Sequence, residues 1–356
     1  MHAAREVRRV PRLALLVLTW ALSLHGARAQ DGPAELLPAW PLPAEAAAIL
    51  GDYAGTFSRT GLAPVPARGM VIARDGDEYR VPLWTVDPPA TESLPVLVEL
   101  TGWRDDDQVF LAGEALGVKW QGLVHAGRLT AAIRHPYGGR FELRRADRKS
   151  PTLGAPSPAG ATILLPYQPG QPTSLAAWEG AAWPLTEDGA VQVGRGDLRT
   201  VQMFGSVRLH LEFALPLIAD VRGQKRANSG VFLHDRYEAQ ILDSWGVLTG
   251  AGDLGAIYNV SAPRGNAALP PLAWQTFDMD FEAPTLTADG DAAAPAFMTV
   301  RLNGVLVQDR VALDRPTDAS DKPPVARDCI RLQDHGNPVR FRNIWLVETD
   351  GEKGAE

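Results

Sequence analysis

The chain has a single cysteine, Cys329, in 356 residues, so no disulfide can close within it. Beside Ile330, that cysteine reads as a small buried hydrophobe. Helix signals are almost as scarce. One short stretch over 41–49 (PLPAEAAAI) is a candidate, with Pro43 near its first turn. There is no basic stripe. With 35 Lys and Arg against 42 Asp and Glu, the net charge is -7, which argues against nucleic acid as a partner. No paired cysteines and no H-x-x-x-H spacing mark a metal cage. The apolar run from Leu13 to Leu24 is too short to span a bilayer comfortably.

That run has a different reading. It follows the one dense basic cluster (Arg5, Arg8, Arg9, Arg12) and precedes Ala27-Arg28-Ala29, an A-x-A cleavage pattern before Gln30. Basic start, apolar centre and small-residue end together make a signal peptide over 1–29. The expectation is an exported chain, periplasmic or extracellular, with no stable membrane anchor after cleavage.

What the sequence has in quantity is proline and glycine, 29 and 34 residues. They punctuate short alternating runs such as Tyr79–Trp84, Val96–Leu100 and Val207–Phe213. Many short strands separated by turn residues indicate an all-β architecture. The stretch 150–172 is rich in Pro, Ser and Gly and reads as a linker. It separates a small β-rich domain over 30–149 from a second domain over 173–347, with a polar tail over 348–356. In the second domain Asn303-Gly304, between Phe297–Leu302 and Val305–Val307, is a strong hairpin signal. The number and spacing of its strands imply a β-sandwich of jelly-roll type.

Within that domain the densest polar pattern is Asn228 to Trp245, NSGVFLHDRYEAQILDSW. Strand periodicity places Arg236, Glu238 and Gln240 on one face of a sheet. Spacing alone leaves three readings open: a catalytic row, a passive binding row, or a solvated face in which Arg236 pairs with Glu238.

Several separate stretches resemble the 3-keto-disaccharide hydrolase family: Asn228–Leu233, Arg236–Ser244, Gly255–Tyr258 and Ile330–Ile344, with Trp274-Gln275, Leu302-Asn303-Gly304 and Val307-Gln308-Asp309 fitting the same pattern. The resemblance spans about 178–347. It implies a concanavalin-like jelly roll and action on glycosides already oxidised to a ketone at C3. Such a ketone acidifies the C2 proton. A general base removes it, the C1 substituent leaves, and water completes hydrolysis where the reaction does not stop at the glycal.

Under that reading Glu238, His335 and Asp334 are the candidate catalytic groups. Glu238 is the first choice for the carboxylate. His335 supplies an imidazole, a side chain suited to passing protons, and Asp334 either orients it or caps its loop. Arg236 and Arg340 could polarise the ketone, and Asn228, Gln240, Asp243 and Gln333 could bind sugar hydroxyls. Asp243 could equally hold its own turn. A divalent metal ion held by Glu238 and His335 is the one cofactor these residues suggest. The partner is a carbohydrate. The alternative is a non-catalytic carbohydrate-binding module, since this fold serves both uses. A two-carboxylate endo-glucanase fits less well: its E-x-D-x-x-E row is here Glu238-x-Gln240-x-x-Asp243.

Overall fold

The structure, a computed structural model, describes residues 49–349 except 76, 87–95, 116, 134–137, 181 and 319. The strands and partners counted are those of the described residues. The expected signal peptide, the polar tail beyond residue 349 and all but the last residue of the candidate helix over 41–49 lie outside them. The architecture is all-β. The helix among the described residues is one short 3-10 turn, Gly223–Lys225, and among those residues no helix is long and apolar enough to cross a membrane.

Eight strands close the first body into an antiparallel barrel: β1 (Gly51–Arg59), β2 (Val65–Asp75), β3 (Glu78–Thr85), β4 (Leu97–Asp105), β5 (Gln108–Ala115), β6 (Val118–His125), β7 (Arg128–Ile133) and β8 (Gly139–Ala146). Period-two alternation explains its filling. In β3, Tyr79, Val81 and Leu83 point inward, while Arg80, Pro82 and Trp84 face out. The lumen is a packed core: Phe57, Trp120 and Phe141 meet with ring centroids 4.7 to 6.4 Å apart. A barrel of this size has room only for side chains or one small ligand.

The second body is a sandwich of two antiparallel sheets. One has five strands in the order β10 (Trp178–Gly180), β12 (Leu198–Thr200), β21 (Arg331–Leu332), β14 (Ser229–Leu233), β15 (Tyr237–Ile241). The other has seven: β11 (Val191–Gln192), β22 (Arg340–Glu348), β13 (Val207–Ala214), β16 (Trp274–Glu282), β19 (Ala296–Leu302) and β20 (Val305–Leu313), with β9 (Thr162–Leu165) also on β22. A small hairpin of β17 (Thr285–Leu286) and β18 (Ala292–Ala294) stands apart. The inward sides of both sheets share one core. Val231, Leu233, Ala239 and Ile241 come from the five-stranded sheet, and Leu209, Leu211, Phe213, Phe277 and Phe341 from the seven-stranded one. Each large side chain buried there stabilises the fold by roughly 1.5–3 kcal/mol. Asn303 and Gly304 have φ of 52° and 78°, the two left-handed residues that a tight β19–β20 hairpin needs.

Residues 150–172 are not the free tether that their composition suggests. Ser150 and Thr152 reach the hydroxyl of Thr276, at 2.6 and 2.9 Å, and Thr152 donates to Asp278 at 2.7 Å. The amide of Gly154 donates to Glu212, and Ala155 O accepts from Asn343 and Trp345. The segment then pairs as β9 along β22. Its polar atoms thus satisfy a polar outer sheet face, a role that Pro/Ser/Gly content does not distinguish from that of a spacer. Barrel and sandwich belong to one compact unit, 35–356.

Under this segment Glu212 is fully buried. Burial would raise its pKa, but contacts with His210, Asn343 and Arg342 hold it down at about 2. A depressed folded pKa means stability that is present above the unfolded value, near 4.5, and lost as pH falls through about 2. Glu212→Gln is therefore expected to lower unfolding free energy at pH 7 by roughly 3 kcal/mol. In urea titrations the gap to wild type should narrow as pH falls from 5 toward 3 (approximate working limits of the assay).

Candidate active site

The outer face of the five-stranded sheet follows from register. Across β12, β21, β14 and β15 the residues Arg199, Arg331, Phe232 and Glu238 are successive cross-strand partners, so their side chains share a face. One step along, Gln240 pairs with Gly230, whose carbonyl accepts from the amide of Gln333 at 3.0 Å. Gly230 is the centre of the arrangement. The side chain of Glu238 lies over it, and a Cβ there would sit 2.3 Å from Glu238 Oε1. Glycine is required at this position so that a carboxyl can occupy the space above the strand.

Along this strand pair the polar atoms are buried but incompletely bonded. Asn228 and Gln240 both donate to Gln224 Oε1, at 2.9 and 3.2 Å. Asn228 Oδ1, Gln240 Oε1 and Gln333 Oε1 have no hydrogen-bond partner among the described residues. Buried acceptors are normally satisfied; these three, on residues linked to Gly230 or Gln240, can receive donors. Glu238 is 3% exposed, and none of the described residues donates a hydrogen bond to its carboxyl. Desolvation pushes its pKa up to about 8; Arg331 opposes this and Asp318 adds to it. The backbone of Glu238 is pinned on both sides, its amide to Thr317 Oγ1 at 3.0 Å and its carbonyl by the amide of Tyr258 at 3.1 Å.

Of the residues anticipated from sequence, Asn228, Glu238, Gln240 and Gln333 come together. The others go elsewhere. Arg236 makes no pair with Glu238. Its guanidinium donates to His234 O at 2.6 Å and Pro323 O at 2.8 Å and forms an ion pair with Asp328, so its donors are committed to holding loops. Asp243 is sealed in an ion pair with Arg226 at 2.7 Å, with both side chains buried, and also accepts from the amide of Trp245. It holds a turn and leaves no free carboxylate for a sugar hydroxyl. Asp334 accepts from the amides of Gly196 and Gly336, both at 2.8 Å. Its two oxygens brace the loop instead of orienting His335. His335 itself is exposed on that turn. The stretches Asn228–Ser244 and Ile330–Ile344 do meet, through Gln333 and through Asn337 Oδ1, which accepts from Asn228 N at 2.7 Å. Arg340 belongs to the seven-stranded sheet, bonded to Gln192 at 3.1 Å.

Sequence reasoning missed Arg331 and Gln224. Arg331 lies 3.6 Å over the Phe232 ring and pairs with Asp197 at 2.9 Å and with Asp235. Its position two residues before Gln333 was the available signal. Gln224 sits in the 3-10 turn, where no periodicity announces it. For a metal, the donors are one carboxyl and neutral amides, and no three His, Cys, Asp or Glu side chains group as a cage among the described residues. With one carboxyl, neutral amides and His335 away on an exposed turn, the donor set does not fit a divalent ion, which favours several ionised oxygens.

The sandwich carries a polar row on its five-stranded sheet with a buried, proton-holding carboxyl in it, and its family match puts it in the carbohydrate-acting class. The chain belongs to the 3-keto-alpha-glucoside-1,2-lyase-like domain family, whose model matches residues 169–347. Two crystal structures of candidate glycosyl hydrolases from Parabacteroides distasonis ATCC 8503 are similar. One, solved at 2.13 Å resolution, is 34% identical, with 54% of this chain and 85% of that one covered and a TM-score of 0.48. The other, at 1.70 Å, is 17% identical, with 51% and 91% covered and a TM-score of 0.39. The curated proteins gave no match.

Proposed function

We propose that the protein is an exported enzyme that cleaves 3-keto-glycosides, with Glu238 as the general base that removes the C2 proton. Membership of the family supports a hydrolase- or lyase-type role on a glycoside. The observation that carries the finer reading is Glu238 itself: a buried carboxyl over Gly230, without a donor, on the strand pair whose neighbours Asn228, Gln240 and Gln333 carry unbonded amide oxygens. Those oxygens suit the hydroxyl donors of a sugar ring and would hold C2 against the carboxyl. The C3 ketone takes up the electron pair as an enolate, and the C1 substituent then departs. A base with a pKa near 8 is well matched to such a proton. Ordinary glycoside hydrolysis needs a second free carboxyl facing the first, and Asp243, the other acid of the Glu238-x-Gln240-x-x-Asp243 row, is locked to Arg226.

Since the base must be ionised to act, kcat/KM should rise with pH and level off above an inflection near 8. The test of substrate class is a comparison of nitrophenyl 3-keto-glucoside with nitrophenyl glucoside. Nitrophenol should be released from the keto sugar alone. Release from the plain sugar alone identifies a conventional glycosidase, and binding without release identifies a carbohydrate-binding module.

A further inference from the structure

A cavity of about 540 Å³ opens where the barrel meets the sandwich, within the range of small-molecule sites. It lies outside the polar row just described. Its barrel wall is the outer face of β2 and β3, where Arg68 and Trp84 are cross-strand partners and so stand side by side. Its sandwich wall is the loop after β15. There Gly246, with φ of 74°, is seated so closely that a Cβ would lie 2.1 Å from Ile72 Cδ1.

The two walls are fixed by charges that are already spoken for. Arg80 pairs with Glu99 at 2.7 Å and donates to Gly246 O at 2.6 Å. Arg148 pairs with Asp52 at 2.6 Å and donates to Ala268 O at 2.9 Å. Arg68 is different: it is exposed and has no hydrogen bond or ion pair among the described residues. Beside it are the half-buried indole of Trp84 and an apolar lip made by Val247, 43% exposed, and Leu248, 99% exposed. An apolar side chain left wholly in solvent at the mouth of a cavity gains from anything that covers it.

We propose that this junction is a binding site for a small organic anion with a flat apolar body, a ring carboxylate. The ring stacks on Trp84 under the Val247 and Leu248 lip, and the carboxylate pairs with the unbalanced guanidinium of Arg68. The site needs both bodies, which gives the barrel a role that the polar row does not require.

Calorimetric titration of the full chain with 2-naphthoate, and with neutral 2-naphthamide of the same shape, tests it. Naphthoate should bind saturably and the amide about tenfold more weakly. Arg68→Gln, at an exposed position that leaves the fold intact, should erase the preference for the anion. Trp84→Ala should weaken both ligands about tenfold. Trp84→Leu, which keeps an apolar side chain there, replaces it if the alanine variant does not fold. No saturable binding of naphthoate, or binding unchanged by Arg68→Gln or by the Trp84 replacement, would overturn the proposal.

Discussion

Glu238→Gln is expected to lower kcat/KM on a 3-keto-glycoside by about 10²–10⁴-fold, the usual contribution of a positioned general base. The amide keeps the shape that Gly230 accommodates and removes only the ionisable proton. Steady-state assays on folded variant protein measure the loss, and activity within twofold of wild type (about 0.4 kcal/mol) would remove Glu238 from the mechanism. The same substitution should leave an opposite mark on stability. The folded pKa of Glu238 is raised, so its contribution is fully present below the unfolded value near 4.5 and is lost as pH rises through about 8. Over that window wild type should lose stability relative to Glu238→Gln by up to about 1.4 kcal/mol per pH unit. Melting curves at pH 5 and pH 9 (approximate ends of that window) should therefore show the variant gaining on wild type at the higher pH. A variant less active yet more stable in alkali is the signature of a carboxyl kept dry for chemistry; one less stable at every pH points to a structural role.

Asp243→Ala should be strongly damaging to the fold. It strands the Arg226 guanidinium, whose side chain is 7% exposed, without its partner at 2.7 Å, and removing one member of a buried pair costs about 3–5 kcal/mol. It also frees the amide of Trp245, which Asp243 caps. Urea unfolding at neutral pH measures the loss. A drop under 1 kcal/mol, about the ceiling for an exposed pair, would mean that the pair is not buried in solution. The double variant Asp243→Leu, Arg226→Met removes both charges and should recover most of the stability. Recovery of stability without a parallel recovery of function would reopen a sugar-binding role for Asp243.

How much of this was legible in the sequence depended on the physics behind each residue. Strand alternation fixed which residues face inward: Leu209, Leu211 and Phe213 are in the core as their period demands, and Asn303-Gly304 turns the hairpin it signals. The same period put Glu238 and Gln240 on one outer face. Strand period does not show what covers a face. The partners that Asn228 and Gln240 find depend on the turn around Gln224, and the pinning of Glu238 on segments far along the chain such as Thr317. Long polar side chains were the least readable. Arg236 has several acceptors within reach and takes Asp328, ninety-two positions away, instead of Glu238 two positions away. Asp334 and His335 looked like a dyad because they are adjacent, but adjacent residues on a turn point apart, and backbone amides claimed both oxygens of Asp334. The stretch 150–172 misled because proline and serine content reports poor helix and strand propensity and says nothing about available partners.

The most direct test of the central claim is the fate of the C2 proton. A 3-keto-glucoside is turned over briefly in D₂O and the product examined by NMR and mass spectrometry, with the 3-keto-glucoside and its product each incubated without enzyme to measure spontaneous exchange. Removal of that proton by Glu238 predicts a product that has lost its C2 protium, either as the glycal or as a sugar carrying deuterium at C2. A product that keeps protium at C2, formed at the full catalytic rate, would contradict it.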